Sequence, residues 1–590
     1  MSATPLWFGP EEAPLFGWFH APEGGRARCA AVLCPAIGFE GAGAHYTFRK
    51  LAEGLADTGV AVLRFDYNGT GDSSGGAHDP DRVALWRASV RHALEAMRSS
   101  AALPIVMVGI RMGATFAMLE ACEDGDIDGL VLWDPCVRGR SFLRQQTALM
   151  RFVAEVEPRD DGAVETMGLT YDAPTASDIA EIDIAEPGSS PARSVLVLWR
   201  PDRRRDPRFE ARLRGEVEAR AEKGSTGPEI IWDVAEGQDA LAARGEVPNE
   251  ALACIIDWFR RFGALEAGEW ASVSTPAGAS STVVKAPDNT SVHESAVFLG
   301  PTGLFGVLSE PATSLANGPF EGQDGSPTVM FFNFGINHRE GPGRMWVDLS
   351  RAWSARGMRC LRVDRSGIGD SPVRPGQEER ITYPPEAVED ARDLAEAVSP
   401  GDPRNVVLVG VCAGAYLSVE SGISLSARGV CAVNPVLTFT PWEHWTGQTD
   451  PGRQAVRSKR WWMKTAASSK PFIQAAKPYI PWRVWWLLHV LGVQSSPGSG
   501  FEPLVEQDVD TLVICDKRDS GPYVQRSPWV LRKLAATGKF RFESYGGNDH
   551  LLLTEDFRNY VADMLTEHVL ARFAPLNGQR SLPESQQALT

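Results

Sequence analysis

Short apolar segments alternate with longer amphipathic stretches along most of the chain. In the amphipathic stretches, such as residues 48–59 and 346–357, apolar side chains recur at the spacing of one helix face. This alternation predicts an α/β fold in which parallel strands form a sheet with helices on both faces. The predicted strands are Ala30–Pro35, Val60–Phe65, Ile105–Gly109, Gly129–Trp133, Val195–Trp199, Val329–Phe334, Met358–Val363, Val406–Gly410, Val430–Val433 and Thr511–Cys515.

The pattern occurs twice because the chain contains an internal repeat. Residues 63–73, LRFDYNGTGDS, match residues 361–371, LRVDRSGIGDS, without a gap. We therefore predict two tandem domains of one fold, joined by a segment rich in small and polar residues. The predicted limits are residues 1–263 for the first domain, 264–293 for the linker, 294–575 for the second domain and 576–590 for a flexible tail.

Composition and charge narrow the possible functions. The chain has 59 basic and 75 acidic residues, a net charge of −16, which argues against general nucleic-acid binding. Its nine cysteines are scattered without a CxxC pair or metal-ligand spacing, so we expect a cytoplasmic protein without a metal site. The N-terminus lacks the features of a signal peptide, and no apolar run is long enough to span a membrane.

The candidate chemistry lies where a predicted strand runs directly into a helix. In the second domain, strand Val406–Gly410 leads into Val411-Cys412-Ala413-Gly414, which has the strand, tight turn and helix of a nucleophile elbow. Small flanking residues allow the turn, so the side chain of Cys412 is expected to stand exposed at the edge of the sheet. The amide of Ala413 is expected to point toward a developing oxyanion.

With these segments, both domains resemble α/β-hydrolases, in particular the serine aminopeptidase-like branch. The first domain is especially similar to exosortase-associated hydrolases through Leu33–Pro35, residues 64–73 and residues 134–140. The resemblance covers nearly the whole chain, once in each domain. It implies two mostly parallel sheets flanked by helices, each with a helical lid inserted into the domain.

The family order of nucleophile, acid and base implies a triad in the second domain. The nucleophile is Cys412, the acid is Asp519 with Asp516 as the alternative, and the base is His550. In this arrangement the acid orients the base, and the base activates the thiol. The second oxyanion donor is expected in the loop after Val329–Phe334, at Gly335 or Ile336.

The same comparison predicts that the first domain has lost catalysis. Arg111 stands at its nucleophile position, and a guanidinium is no nucleophile near neutral pH. Ala240 replaces the base, and the acid position falls on Arg203, or on Asp202 after a one-residue slip. Two interpretations of Arg111 stay open: a replacement without function on a decayed elbow, or an anion ligand in a vestigial pocket.

A lid of about residues 438–505 is expected in the second domain. Basic side chains there outnumber acidic ones, in contrast to the chain as a whole. Three roles are compatible with this composition: helix packing, an apolar acyl tunnel whose basic rim meets an acidic carrier protein, and shallow contact with a membrane surface. The tryptophans expected to contact substrate are Trp461, Trp462, Trp482, Trp485 and Trp486.

The nucleophile favours one class of reaction. A thiolate that attacks a thioester forms another thioester, whereas attack on an amide must expel a poor leaving group. We therefore expect a thioesterase or an acyltransferase/cyclase that acts in biosynthesis through acyl-Cys412, on an acyl thioester that a carrier protein can present. The alternatives are an ester or lactone hydrolase with the same triad, and a binding or scaffold protein without catalysis. No cofactor is expected, because no metal or nucleotide motif occurs.

Overall fold

The computed structural model describes residues 3–186, 188–189, 191–222, 229–234, 247–265, 270–312, 325–437, 481–490 and 497–575. Two large sheets dominate the described parts, the first with eight strands and the second with nine. We call the elements around the first sheet the N-terminal lobe, residues 3–272. Those around the second sheet, residues 281–575, are the C-terminal lobe.

The N-terminal lobe is a sheet with helices on both faces. Its strands are β1 (Ala3–Phe8), β2 (Leu15–His20), β3 (Arg26–Ala27), β4 (Cys29–Cys34), β5 (Val60–Phe65), β6 (Ile105–Ile110), β7 (Gly129–Trp133), β8 (Val164–Thr166), β9 (Leu169–Tyr171), β10 (Ser194–Trp199), β11 (Glu229–Val234) and β12 (Ala271–Ser272). Its helices are α1 (Gly38–Asp57), α2 (Arg82–Ser100), α3 (Met112–Asp124), α4 (Gly139–Ala154), α5 (Ala173–Glu181), α6 (Pro207–Glu222) and α7 (Asn249–Leu265). The large sheet has the order β1-β2-β5-β4-β6-β7-β10-β11.

The C-terminal lobe repeats this arrangement. Its strands are β13 (Ser281–Lys285), β14 (Ser291–Leu299), β15 (Leu304–Pro311), β16 (Thr328–Phe331), β17 (Arg359–Val363), β18 (Val406–Val411), β19 (Gly429–Val433), β20 (Asp510–Cys515) and β21 (Phe540–Ser544). Its helices are α8 (Met345–Ser354), α9 (Ala387–Val398), α10 (Ala413–Leu425), α11 (Trp482–Val490), α12 (Glu502–Glu506), α13 (Lys517–Arg526), α14 (Pro528–Ala535) and α15 (Glu555–Phe573). The sheet order is β13-β14-β15-β17-β16-β18-β19-β20-β21.

The central strands of both sheets are parallel and buried on both faces, which confirms the predicted α/β class. Because these strands are apolar on both faces, each face must pack against other apolar residues. Separate apolar clusters lie on the two faces of each sheet. Within the described residues, no helix combines the length and the apolarity that a bilayer crossing requires.

The structure differs from the predicted linker of residues 264–293. Strand β13 lies inside that segment, and β14 begins inside it, so that the two form an antiparallel edge of the second sheet. The β-branched run Thr282-Val283-Val284 explains the difference, because such residues favour strands and Val284 is buried. The polar composition of the segment reflects the solvent-facing side of this edge.

The two lobes pack through equivalent turns of the repeat. Arg64 of the first repeat pairs with Asp370 of the second at 2.5 Å, and the equivalent Arg362 pairs with Asp72 at 3.0 Å. The repeated Phe16 and Phe305 stack on each other, with ring centroids 6.3 Å apart. Such reciprocal contacts between equivalent residues are typical of a two-fold symmetric dimer, here formed within one chain.

Candidate active site

The elbow of the C-terminal lobe has the strained backbone that the sequence predicts. Cys412 lies between β18 and α10 with φ 54° and ψ −112°, a conformation that few residues with a Cβ adopt. The neighbouring glycines permit it through close packing. A Cβ on Gly414 would lie 2.6 Å from the carbonyl oxygen of Asn333, and one on Gly410 would lie 2.2 Å from the carbonyl carbon of Gly414. The packing therefore holds the thiol at the carboxyl edge of the sheet.

The structure brings the three predicted triad residues together. Nε2 of His550 lies 3.1 Å from Sγ of Cys412, and Nδ1 of the same ring is hydrogen-bonded to Oδ2 of Asp519. Burial alone would lower the pKa of His550, but the bonds with Asp519 and Cys412 raise it from 6.5 to about 10. This environment favours an imidazolium beside the sulfur at neutral pH.

Asp516, the alternative acid, has a different place in the structure. It caps α13, where one carboxylate oxygen accepts the amide of Asp519 at 2.6 Å and the other accepts the amide of Asp549 at 2.8 Å. Asn434, which sequence analysis missed, donates to the carbonyl of His550 at 2.9 Å and accepts the amide of Asp516 at 2.8 Å. These two side chains fix the backbone on which the acid and the base stand.

The predicted oxyanion donors lie on the two segments that flank Cys412. Ala413 is the first residue of α10, where helix amides lack partners within the helix. Gly335 has φ 56°, and its carbonyl accepts a hydrogen bond from Arg365 at 3.1 Å. Ile336 follows in the same loop. The side chain of Asn333 holds this loop by bonding the carbonyl of Asn337 at 3.1 Å.

Tyr383 is a further residue beside the thiol that the sequence did not indicate. Its ring packs edge-on against Tyr416 at 5.5 Å, and Tyr416 lies one helical turn after Cys412. The hydroxyl is buried and has no hydrogen-bond partner of good geometry in the described parts of the chain. Burial, together with the adjacent Cys412, raises the pKa of Tyr383 far above its usual value. It stands in a loop before α9 that matches no motif.

The N-terminal lobe has the same elbow with a different side chain. Arg111 has φ 54° and ψ −123°, and a Cβ on Gly113 would lie 2.2 Å from a carbonyl oxygen of the neighbouring loop. Its guanidinium forms ion pairs at 3.2 Å with Glu40 and with Asp134. Arg203, at the predicted acid position, lies 3.5 Å from the same Asp134.

These contacts leave the N-terminal elbow without a nucleophile and with its charges paired. Asp202, the alternative acid, pairs with Arg200 at 2.8 Å. Ala240, at the predicted base position, lies outside the described residues. Arg111 is only 3% exposed, so its charge is neutralised inside the domain by these ion pairs.

Models of known families match segments of both lobes. The model of the α/β-hydrolase family matches residues 334–563, and the model of the serine aminopeptidase family S33 matches residues 36–163. The chain is a tandem α/β-hydrolase. Membership of this family indicates an enzyme of the hydrolase type.

Individual relatives of this tandem hydrolase are distant. A monoglyceride lipase homolog of monkeypox virus is 26% identical over 121 residues, which are 20% of this chain and 44% of that protein. Est1E from Butyrivibrio proteoclasticus covers 44% of this chain and 99% of its own, with 13% identity and a TM-score of 0.32. A soluble variant of the monoglyceride lipase from Saccharomyces cerevisiae covers 44% and 95%, with 15% identity and a TM-score of 0.32.

Only part of the hydrolase's predicted lid is described. Trp461 and Trp462 lie outside the described residues, whereas Trp482, Trp485 and Trp486 lie on α11. Trp485 is 7% exposed and packs under the guanidinium of a residue on α13, which anchors α11 to the domain. Trp482 and Trp486 are 39% and 44% exposed, so α11 also presents aromatic surface outward.

Proposed function

We propose that the C-terminal lobe is a cysteine-dependent acyl-transfer enzyme that works through an acyl-Cys412 intermediate. The observation that supports this most is the position of His550 between Asp519 and Cys412, with one ring nitrogen 3.1 Å from the sulfur. The strained elbow adds to it, because strain of this kind persists where packing enforces it and often has a mechanistic purpose.

The first half of the reaction forms the acyl-enzyme. The thiolate of Cys412 attacks the carbonyl carbon of a thioester, and the carbonyl electron pair moves onto oxygen, where the amides of Ala413 and of Gly335 or Ile336 stabilise it. Collapse of this intermediate breaks the bond to the departing thiolate. That thiolate takes the proton from the imidazolium of His550.

The second half releases the acyl group. Neutral His550 accepts a proton from water, an amine or an alcohol as this acceptor attacks the acyl-Cys412 carbonyl. Collapse expels the thiolate of Cys412 and leaves His550 protonated again, so both groups are ready for the next cycle. Asp519 keeps the ring oriented and stabilises its positive charge throughout the cycle.

A thioester donor suits this nucleophile better than an amide does. Exchange of one thioester for another is nearly balanced in energy, whereas an amide must lose a poor leaving group. Hydrolysis of an ester by the same residues is the second candidate, and the match to a monoglyceride lipase homolog favours it.

The lid suggests how the substrate is presented. Residues 438–495 include eight basic and two acidic side chains, within a chain of net charge −16. We infer that an acidic carrier protein delivers the acyl group to this basic segment. Charge reversal at Arg457, Lys459 and Arg460 should then weaken the turnover of carrier-bound acyl groups and leave that of small thioesters unchanged.

Matched substrates test the proposed function. Thioesters and oxyesters with the same acyl groups are offered to the wild type and to Cys412→Ser, with water alone and with added amines. We expect the wild type to prefer thioesters and to form amides when amines are present. Equal rates on both donors, together with free acid as the only product, would contradict acyl transfer and support ester hydrolysis instead.

A further inference from the structure

A β-hairpin of the N-terminal lobe lies against the loop that follows His550. The hairpin consists of β8 and β9 and stands between β7 and β10 of its own lobe, the position at which the C-terminal lobe has its predicted lid. The amide of Gly168, at the turn of the hairpin, donates to the carbonyl of Leu553 at 3.1 Å. Met167 and Leu553 are buried and share a small apolar cluster with Met150 of α4. The contact therefore joins the lid position of one repeat to the base loop of the other.

The hairpin also supplies the N-terminal cap of α15, the helix that follows this loop. Thr554 precedes the helix, and its side chain makes no cap hydrogen bond. Instead, the carboxylate of Glu165 in β8 accepts the amide of Glu555 at 2.7 Å. Amides of the first helical turn lack partners within the helix, and the helix dipole favours a negative charge at this end. A helix of the C-terminal lobe is thus capped by an acid of the N-terminal lobe.

Side-chain contacts with Glu555 add to this cap. The hydroxyl of Thr170 in β9 donates to the carboxylate of Glu555 at 2.9 Å, and Arg159 pairs with the same carboxylate at 3.3 Å. Thr170 is buried, so its hydrogen bond is shielded from water. Polar contacts therefore run from both strands and from the turn of the hairpin to the start of α15 and the residues just before it.

The loop held in this way contains a strained residue close to the base. Leu552 is fully buried and has φ 57°, a left-handed conformation that a residue with a Cβ keeps only where its surroundings enforce it. Arg558 of α15 donates to the carbonyl of Leu552 at 3.1 Å. Burial lowers the pKa of Arg558, and the carboxylate of Glu165 is the foremost charge that opposes this shift. The N-terminal lobe therefore supports both α15 and the arginine that holds Leu552.

We propose that the β8–β9 hairpin is a positioning element of the acyl-transfer centre, in which Glu165 positions His550 through the cap of α15; this role rests on the proposed function of that centre. Only residues 551–554 separate His550 from α15, so a displacement of the helix start displaces the imidazole. The ring must stay within hydrogen-bond distance of both Cys412 and Asp519, and misplacement by about 1 Å can cost roughly a hundredfold in rate. The lobe without a nucleophile thereby supports catalysis in the other.

Steady-state kinetics of the full-length protein on a thioester tests this role. Glu165→Ala removes the cap, and we expect kcat to fall roughly tenfold with little change in KM, because the hairpin acts on the base and not on the substrate. Asp549 still holds the amides of Leu553 and Thr554 in this variant, so the loop stays folded. Glu165→Gln keeps an acceptor oxygen without the charge and should retain most of the wild-type kcat.

Phe298→Ala is the matched control for contact between the lobes. Phe298 of β14 packs edge-on against Trp18 of the N-terminal lobe, with ring centroids 6.3 Å apart, and β15, β17 and β16 lie between β14 and β18 in the sheet. This variant weakens an interlobe contact far from the base and should keep the wild-type kcat. Wild-type kcat in Glu165→Ala, or an equal loss in Phe298→Ala, would overturn the positioning role.

Alkylation of Cys412 by iodoacetamide reports the position of His550 without any substrate. An imidazolium beside a cysteine favours the reactive thiolate, so the alkylation rate at mildly acidic pH, followed by peptide mapping, depends on their contact. We expect Glu165→Ala to lower this rate roughly threefold or more and His550→Gln to lower it further, whereas Phe298→Ala should react as the wild type does. Slower alkylation in Glu165→Ala, in a protein that turns over no thioester, would refute the proposed function and support the positioning role. Wild-type alkylation in Glu165→Ala would overturn the positioning role, whether or not thioesters are turned over.

Discussion

The two elbows of the molecule have nearly the same backbone and opposite chemistry. Cys412 and Arg111 both have φ 54°, and their ψ angles are −112° and −123°. The sulfur of Cys412 faces the imidazole of His550, whereas the guanidinium of Arg111 is held by two carboxylates. The comparison shows that the strained turn does not depend on the reactive side chain that it presents.

The packing around each turn explains why both turns have the same strained backbone. In both lobes the second residue of the helix is a glycine that lies against backbone carbonyls of an adjacent segment, where no Cβ fits. The strand, turn and helix are therefore kept by close packing, and the side chain at the turn can change. Asn434 and Asp134 occupy equivalent strand ends and differ in the same way: the first holds the loop of His550, and the second neutralises Arg111.

Removal of the Cys412 thiol should have the largest effect on turnover, because this thiol is what distinguishes the C-terminal elbow from the N-terminal one. We expect Cys412→Ala to lower kcat/KM by roughly a thousandfold or more, because the covalent step has no other nucleophile. Steady-state kinetics on thioesters measures it. Cys431→Ala, a buried thiol on the adjacent strand, is the matched control and should keep its turnover. Comparable turnover in the two variants would contradict the assignment.

Asp519→Asn should remove the orientation and charge of the base. We expect a loss in kcat of roughly a hundredfold to ten-thousandfold, as for other acids that orient a histidine.

The pH dependence of stability and of activity tests the same contact between Asp519 and His550. The folded-state pKa of His550 is raised from 6.5 to about 10, so the stability it contributes is complete below pH 6.5 and is lost as the pH rises toward 10. Because Asp519→Asn removes one cause of the raised pKa, both this loss and the alkaline limb of activity should move to lower pH. An unchanged alkaline limb would mean that His550 is not the group that titrates.

Arg111→Met should affect stability and leave the chemistry intact. It leaves Glu40 and Asp134 without their buried cation, so we expect the free energy of unfolding to fall by about 3–5 kcal/mol. Denaturant unfolding measures this, and the turnover per folded molecule should stay unchanged. Adding Glu40→Gln and Asp134→Asn should recover part of the loss. A loss of turnover without a loss of stability would instead give the N-terminal elbow a part in the reaction.

Tyr383→Phe is expected to have the smallest effect. The hydroxyl lies beside Cys412 and has no hydrogen-bond partner among the described residues, so its removal should lower kcat by roughly threefold to tenfold and leave the fold intact. Tyr416→Phe, which removes the hydroxyl of the neighbouring ring and keeps the ring contact, is the matched control. Equal changes in both variants would show that the hydroxyl of Tyr383 has no specific effect on the reaction.

Much of this architecture could be predicted from the sequence because local signals agree with the fold. The apolar runs and the repeat indicated parallel strands, and the elbow glycines indicated where Cys412 stands. The edge strand β13 escaped prediction because its polar positions face solvent and resemble a linker. The contacts of Asn434, Asp516 and Tyr383 depend on chain segments that are distant in sequence, so no local pattern indicates them.

Intact-protein mass spectrometry after exposure to a panel of acyl thioesters tests the central claim most directly. The wild type should gain the mass of one acyl group, peptide mapping should place it on Cys412, and Cys412→Ala should gain none. Turnover of a thioester by the wild type without an acyl adduct on Cys412, or an adduct of equal yield in Cys412→Ala, would contradict a covalent mechanism through this cysteine.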